Sequence, residues 1–327
     1  MAIGRRQFIC AFGGGAVAWP FGASAQLPDV PAVGILHIGA PFIYDLSGLR
    51  QGLKDSGYIE GQSVAIEYRW ANNDAHRLPA LASDLIHRRV AVIVALTSGP
   101  AVLAAKAATN TIPIVFGYGG DPVEAGLVAS LNRPGGNVTG ITSLSGELGG
   151  KQLGLLHELL PVATRFAILI NPNNPGTESL SRDAQSAATA DGLQFEVLKA
   201  TTSGEIDAAF GRLVAEHVDG LLITTDTLFA DRRPQLITLS ARYALAAIYP
   251  FRTYTEAGGL MSYGPDLSDR DRQVGFYVGR ILKGESPSEL PVMRATKFEF
   301  AINKQTAKTF GLAIPDKLLA LADEVIE

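Results

Sequence analysis

Short apolar runs alternate with amphipathic helical patterns along most of the chain, and this rhythm constrains the fold more than any other feature. The runs at residues 32–38 and 90–96 are almost continuously apolar, as buried parallel strands are. Leucines at helical spacing follow the first run at positions 46, 49 and 53 and precede the second at 78, 81 and 85. Because strands that alternate with helices imply right-handed crossovers, we predict an α/β fold with parallel sheets. The predicted strands are 32–38, 64–68, 90–96, 112–116, 166–170, 195–198, 220–224, 247–249 and 298–302.

The alternation is interrupted between Asp121 and Thr142. Asp121 before Pro122 predicts a helix start, because a carboxylate accepts the free N–H groups of the first turn and proline needs no N–H there. The Arg-Pro-Gly-Gly run at 133–136 ends this short helix. Residues 137–142 then alternate polar and β-branched side chains, which predicts an exposed extended segment. With similar strand–helix units on both sides, the interruption predicts a hinge between two lobes, and a length of 327 residues suits two domains.

The same region carries a family resemblance. Asp-Pro-Val at 121–123, Gly-Leu-Val-Ala-Ser-Leu at 126–131 and Arg-Pro-Gly-Gly-Asn-Val-Thr-Gly at 133–140 resemble the substrate-binding proteins of ABC importers, in the tryptophan/tyrosine-type branch of the type I periplasmic binding proteins. The resemblance implies two Rossmann-like lobes with parallel sheets, joined by a multi-crossing hinge. The lobes it implies are 26–140 plus 266–298 and 141–265 plus 299–327.

The first 25 residues have the pattern of an export signal. Arg5 and Arg6 precede a weakly apolar region, and a small-residue cleavage site ends at Ala25. The paired arginines favour the twin-arginine route, and the alternative is an ordinary secretory signal that contains two arginines. We therefore expect cleavage after Ala25 and a soluble periplasmic protein.

Charge and cysteine content exclude several function classes. The formal net charge is −4, and it becomes more negative when the signal, with its two arginines, is removed. A nucleic-acid partner is therefore not expected. Cys10 is the only cysteine and belongs to the signal. The mature chain therefore has no disulfide, no thiolate metal site and no cysteine nucleophile. We expect a monomer.

Thr97 and Ser98 follow the third predicted strand, and ligands of open parallel sheets bind outside the carboxyl ends of strands. Their hydroxyls, with the free N–H groups of the next helix, predict a cradle for a carboxylate. The alternative is that either hydroxyl only caps the helix, and both roles can coexist. Asp121 follows the fourth strand and can pair with a ligand ammonium, although capping alone is the favoured explanation.

Asp226 follows the strand at 220–224, several residues before the next predicted helix at 233–243, so capping does not readily explain it. We predict that its carboxylate is the counter-charge to a cationic ligand group. In the resembling family the Thr-Asp pair at the matching place, here Thr225 and Asp226, lies in the cleft. The amides of Asn171 and Asn174 can bond a ligand across a closed cleft, and turn formation is the alternative.

Aromatic side chains gather near several predicted strand ends and can clamp a flat ligand. The ones included in the predicted site are Tyr118, Phe251 and Tyr263, and each is equally explained by packing in the core or at the lobe interface. Thr142, at the end of the extended segment, completes the predicted ligand-binding set.

Enzymatic motifs are missing. The sequence has no Gly-x-Ser-x-Gly elbow and no Gly-x-Gly-x-x-Gly after the first strand, and its five histidines lack metal-ligand spacing. His37 lies inside an apolar strand and is predicted to be a satisfied core histidine. Asp266, Asp269 and Asp271 are predicted to favour a helix dipole rather than to bind calcium. We therefore predict no catalytic residue, no metal ion and no cofactor.

These observations lead to a functional prediction. The chain is predicted to be a periplasmic solute-binding protein that captures a small polar ligand, amino-acid-like or aromatic, between two lobes and delivers it to an ABC permease in the inner membrane. One alternative is an extracytoplasmic ligand-sensing module for a receptor protein. Another is an enzyme on the same two-lobed scaffold.

Overall fold

The computed structural model describes residues 30–41, 44–97, 99–174 and 176–327, and the predicted signal segment 1–25 lies outside this part. Two sheets organise it. The first contains, in spatial order, β11 (Met293–Arg294), β5 (Val138–Thr142), β4 (Ile114–Tyr118), β3 (Val92–Leu96), β1 (Ala32–His37) and β2 (Ala65–Trp70). The second contains β13 (Glu324–Ile326), β12 (Phe298–Asn303), β10 (Met261–Pro265), β9 (Ala246–Tyr249), β8 (Gly220–Ile223), β6 (Arg165–Ile170) and β7 (Gln194–Lys199).

Helices follow most of the strands. They are α1 (Ser47–Asp55), α2 (Leu78–His87), α3 (Gly99–Ala108), α4 (Gly149–Leu159), α5 (Gly176–Ala190), α6 (Ser203–Ala215), α7 (Thr227–Asp231), α8 (Arg233–Arg242), α9 (Arg252–Glu256), α10 (Leu267–Leu282), α11 (Lys304–Thr309) and α12 (Asp316–Leu321). The strand pairs are parallel except for β10 with β12, which is antiparallel. The predicted α/β class with parallel sheets is confirmed.

The central strands of both sheets are buried on both faces. In β3 the side chains of Ile93 and Ala95 pack with α2 and α3, whereas Val92, Val94 and Leu96 pack with α1 and α10 on the opposite face. The alternation follows from the two-residue period of a strand, and burial on both faces explains why the run is continuously apolar. None of the described helices is long and apolar enough to cross a membrane.

Helices α1 and α10 pack in backbone contact on the first sheet. A Cβ atom built on Gly52 would lie 1.9 Å from the carbonyl oxygen of Arg272, and one on Gly275 would lie 2.3 Å from the carbonyl oxygen of Leu49. Only glycine permits this approach, because any side chain would overlap backbone atoms. The contact holds the start of α10 against the first sheet. The chain segment that leaves the second sheet at Pro265 is held there with it.

The structure corrects two predictions for the interrupting segment. Asp121 starts a turn rather than a helix: its carboxylate accepts the N–H groups of the next residues, but Gly126 adopts a φ of +67° and ends the right-handed turn. Residues 138–142 are a fully buried strand, not an exposed segment. The hydroxyl of Thr139 donates to the carbonyl of Leu290 at 2.7 Å, so a buried threonine here leaves no unpaired polar group. The lobe boundaries given above stay a prediction.

Candidate ligand-binding site

A cavity of about 660 Å³ lies at the carboxyl ends of strands from both sheets. His37, Thr97 and Tyr118 contribute from the ends of β1, β3 and β4, and Asn171 and Thr224 contribute from the residues that follow β6 and β8. Loops that follow parallel strands meet at one edge of a sheet, so the fold brings these distant residues together. The volume falls within the range of about 300–1,000 Å³ typical of pockets for small molecules.

The cavity collects most of the residues predicted from the sequence. Those that line it are Thr97, Tyr118, Asn171, Asn174, Thr225, Asp226 and Phe251. Ser98 lies outside the described residues. That the seven lining residues bind a ligand stays a prediction.

Asp121, Thr142 and Tyr263 do not line the cavity. Asp121 is exposed, and its carboxylate accepts two backbone N–H groups of the turn that follows, at 2.7 and 3.2 Å. Thr142 is completely buried in β5, and its hydroxyl donates to the carbonyl of Gly120 at 2.7 Å. The ring of Tyr263 stacks on that of Phe298. Each of these side chains therefore has a local structural role.

Helix N-termini border part of the cavity. Gly99 and Pro100 at the start of α3, Gly176 and Thr177 at the start of α5, and Leu267 at the start of α10 all line it. The helix dipole gives each of these ends a partial positive charge. At α10 the carboxylate of Asp266 already accepts the N–H of Asp269 at 2.9 Å, so this end contributes least to the attraction of an anion. The arrangement therefore attracts a carboxylate.

Asp226, which follows β8 of the second sheet, is held at the cavity by a hydrogen-bond network. Its carboxylate accepts the N–H of Leu228 at 2.9 Å and the side-chain amides of Asn171 and Asn174, each at 3.0 Å. The expectation that Asp226 is not a helix cap is wrong, because α7 begins at the next residue and Asp226 is its N-cap. The sequence pattern missed α7 because a helix of five residues is too short to show a periodic apolar face.

Acidic side chains outnumber basic ones around the cavity. The acidic lining residues are Asp45, Asp226, Asp231, Glu256, Asp266 and Glu299, and the basic ones are Arg233 and Arg252. Arg252 is already paired with Glu256 and Glu324, at 2.8 and 2.6 Å. Burial raises the pKa of Asp231 and of Glu299 above the ordinary value. A cationic group on the ligand would relieve the resulting excess of carboxylates.

His37 and Thr97 form a pair that the sequence did not reveal. His37 is buried at the end of β1, as predicted for a core histidine, but its Nε2 atom lies 3.0 Å from the Thr97 hydroxyl oxygen on the cavity wall. Burial, together with the nearby Arg270 guanidinium, lowers the pKa of His37 to about 4. Thr97 adopts a φ of +60°, which is uncommon for a β-branched residue and marks a constrained site.

A buried ionic network supports the same wall. Arg270 donates to the Asp271 carboxylate at 2.9 Å and to the Tyr44 hydroxyl at 2.7 Å, and that hydroxyl donates in turn to Asp271. Burial raises the pKa of the Tyr44 phenol, so the group stays protonated. The expectation that Asp271 favours the helix dipole is wrong, because its carboxylate is paired in the core. Among the described residues, no group of three or more His, Cys, Asp and Glu side chains is arranged to hold a metal ion.

Comparisons with known proteins agree with this architecture. Residues 37–326 match the family described as ABC transporter substrate binding protein. A tyrosine-binding protein of Clostridioides difficile is 29% identical over 266 residues, which cover 81% of this chain and 76% of that protein.

Two solved structures share the fold. The crystal structure of a conserved domain protein from Vibrio cholerae has a TM-score of 0.84 and 28% identity, covering 90% of this chain and 99% of that one. A Streptococcus pneumoniae structure, described as an ABC domain in complex with L-Trp, has a TM-score of 0.83 and 24% identity, with the same coverage of 90% and 99%.

Proposed function

Because the chain belongs to the family of ABC transporter substrate-binding proteins, we propose that it captures an aromatic amino acid in the cavity and delivers it to the permease of an importer. The observation that carries this proposal is the combination of helix N-termini with an excess of carboxylates around one cavity. The helix N-termini attract a carboxylate, and the acidic side chains attract an ammonium group. A zwitterion satisfies both features, whereas a simple anion or cation satisfies one.

The aromatic part of the proposal has two supports. Tyr44, Tyr118 and Phe251 line the cavity, and such rings pack well against a flat side chain. The similar protein of C. difficile is named for tyrosine binding.

Capture is proposed to occur by hinge closure. The ligand contacts the strand ends of both sheets, so it gains its full set of contacts only when the two lobes are closed and shifts the population toward that state. The proposed lobes are 26–140 with 266–298 and 141–265 with 299–327. The proposed crossings lie next to 138–142, 262–266 and 298–303, just beyond β5, at the end of β10 and just before β12. Binding alone accomplishes this function, and no bond is made or broken.

The proposed compartment follows from the export signal. Residues 1–25 would direct the chain to the periplasm by the twin-arginine route, and the mature protein would act there as a monomer.

Two measurements test the ligand class. Mass spectrometry of small molecules released from freshly purified, denatured protein identifies what the protein carries. Calorimetry with a panel of free amino acids should then show heat with L-tyrosine or L-tryptophan. If no amino acid in the panel gives heat, the proposed ligand class is wrong.

A pair of variants tests the location of the site. Asp226→Ala removes a carboxylate at the cavity, and Asp121→Ala removes one that accepts similar backbone hydrogen bonds outside it. We expect Asp226→Ala to weaken binding of L-tyrosine at least about tenfold, because a charge-assisted hydrogen bond is worth about 1.5–3 kcal/mol. Asp121→Ala should bind as the wild type does. Equal effects of the two variants would place the site elsewhere, and circular dichroism checks that both are folded.

A further inference from the structure

The hydrogen bonds around His37 identify which ring nitrogen carries the proton. The backbone N–H of Gly39 donates to Nδ1 at 2.9 Å, so Nδ1 is an acceptor and carries no hydrogen. A neutral imidazole has one N–H, which must then be on Nε2. Nε2 therefore donates to the Thr97 hydroxyl oxygen at 3.0 Å, and Thr97 cannot donate to His37.

This direction determines where the proton of the Thr97 hydroxyl can point. A hydroxyl offers one donor and two acceptor positions, and His37 occupies one of the acceptor positions. The hydroxyl donates to the carbonyl of Leu96 at 2.7 Å, the carbonyl directly before it in the chain. Because Thr97 lines the cavity, a ligand acceptor on that side can take the proton in place of Leu96.

The surroundings of Thr97 favour a carboxylate as that acceptor. Gly99 and Pro100, at the start of α3, line the same wall, and the positive end of this helix adds to the pull on an anion. The backbone of Thr97 is anchored to β4, since its N–H donates to the carbonyl of Gly117 at 2.7 Å. The rings of Tyr44 and Trp70 pack on His37 at centroid distances of 4.9 and 5.0 Å and hold the imidazole in place.

We propose that His37 is a positioning residue, which keeps the hydroxyl proton of Thr97 available to the ligand and so makes this wall select for a carboxylate. The inference rests on the proposed function and deepens it, because it assigns a positioning residue to the carboxylate end of the proposed amino acid. The carboxylate lies at Thr97 and α3, and the ammonium lies toward Asp226.

The binding test compares L-tyrosine with tyramine, which lacks the carboxylate, in the wild type and three variants. His37→Phe keeps a packed ring but removes the N–H, and Thr97→Val removes the hydroxyl at nearly constant shape. Each should reduce the preference for L-tyrosine over tyramine by about five- to tenfold, the effect of one lost hydrogen bond. His37→Gln, whose side-chain amide can still donate, should restore most of the preference.

A double variant separates positioning from a general structural effect. If His37 acts through Thr97, His37→Phe should change the preference no further in a Thr97→Val background. Independent and additive losses in the two backgrounds would overturn the proposal, as would an unchanged preference in His37→Phe.

A measurement without ligand distinguishes failure of this inference from failure of the proposed function. Imidazole ¹⁵N NMR of the wild type near neutral pH, with His37→Phe to assign the signal, should show Nδ1 free of hydrogen and Nε2 protonated. The opposite tautomer or a charged ring would overturn the role of His37, whatever binds. If the ring has the expected tautomer but none of L-tyrosine, L-tryptophan and tyramine binds, the proposed function is wrong, and carboxylate selection at this wall is wrong with it.

Discussion

The neutral state of His37 predicts that mild acid lowers the free energy of unfolding of this protein. It also predicts that His37→Phe removes the part of this loss that His37 causes. The imidazole is 4% exposed, packs between the rings of Tyr44 and Trp70, and lies near the buried guanidinium of Arg270. Protonation would place a second positive charge beside Arg270 and would break the bond that Gly39 donates to Nδ1. The folded state therefore resists protonation of His37, whereas the unfolded chain does not.

The magnitude follows from proton linkage. The pKa of His37 falls from 6.5 to about 4 on folding, so its contribution to stability is fully present above the unfolded value and is lost as the pH falls toward the folded value. Between about pH 7 and about pH 5 the unfolded state gains most of a proton that the folded state does not, which lowers the free energy of unfolding by about 2 kcal/mol.

The assay is urea unfolding of the wild type and of His37→Phe at the two pH values. All other titrating groups are common to both proteins, so the loss of stability on acidification should be smaller by about 2 kcal/mol in His37→Phe. His76→Gln, which changes an exposed histidine, should show the same loss as the wild type. Identical losses in the wild type and in His37→Phe would refute the buried, neutral assignment.

Three further outcomes are expected from other parts of the chain. Gly52→Ala should lower the free energy of unfolding by about 3 kcal/mol in urea titrations, because its Cβ would overlap backbone of the facing helix. The control is Gly211→Ala, in α6 with open space around it, which should leave the free energy of unfolding unchanged or raise it by about 0.5–1 kcal/mol. Similar effects of the two variants would refute the close helix packing. Asp226→Ala should lower the free energy of unfolding by about 2–4 kcal/mol, since one helix cap and two amide hydrogen bonds are lost. A decrease below about 0.5 kcal/mol would contradict the hydrogen-bond network around Asp226. Replacing both Arg5 and Arg6 by lysine should block export in cell fractionation, and unchanged export would indicate the general secretory route.

The strands were predictable because their signal is local. The run at 92–96 is apolar on both faces, and the structure buries it on both faces. The two errors in the segment 121–142 have different causes. Gly126 takes a left-handed conformation that ends the turn early, and the threonines of β5 are buried because backbone carbonyls accept their hydroxyl protons. A pattern that treats threonine as polar and exposed cannot detect such a bond.

The site was predictable only in part. The rule that ligands bind at the carboxyl ends of parallel strands selected residues such as Thr97, Asn171 and Asp226, and the structure brings these three to one cavity. The same rule also selected Asp121, which follows a strand but is occupied by its own turn and lies outside the cavity. Position along the chain does not show whether a side chain turns toward the cavity or back onto the backbone.

The sequence by itself determined the alternation of strands and helices, and with it the α/β class and the edge of the sheets at which a ligand can bind. Tertiary structure decided which polar groups meet there. Asn171 bonds Asp226 across 55 residues, and His37 bonds Thr97 across 60. Such pairs depend on the order of strands in a sheet, which no local periodicity encodes. The folded chain therefore decides which nitrogen of His37 carries the proton and which groups bond the carboxylate of Asp226.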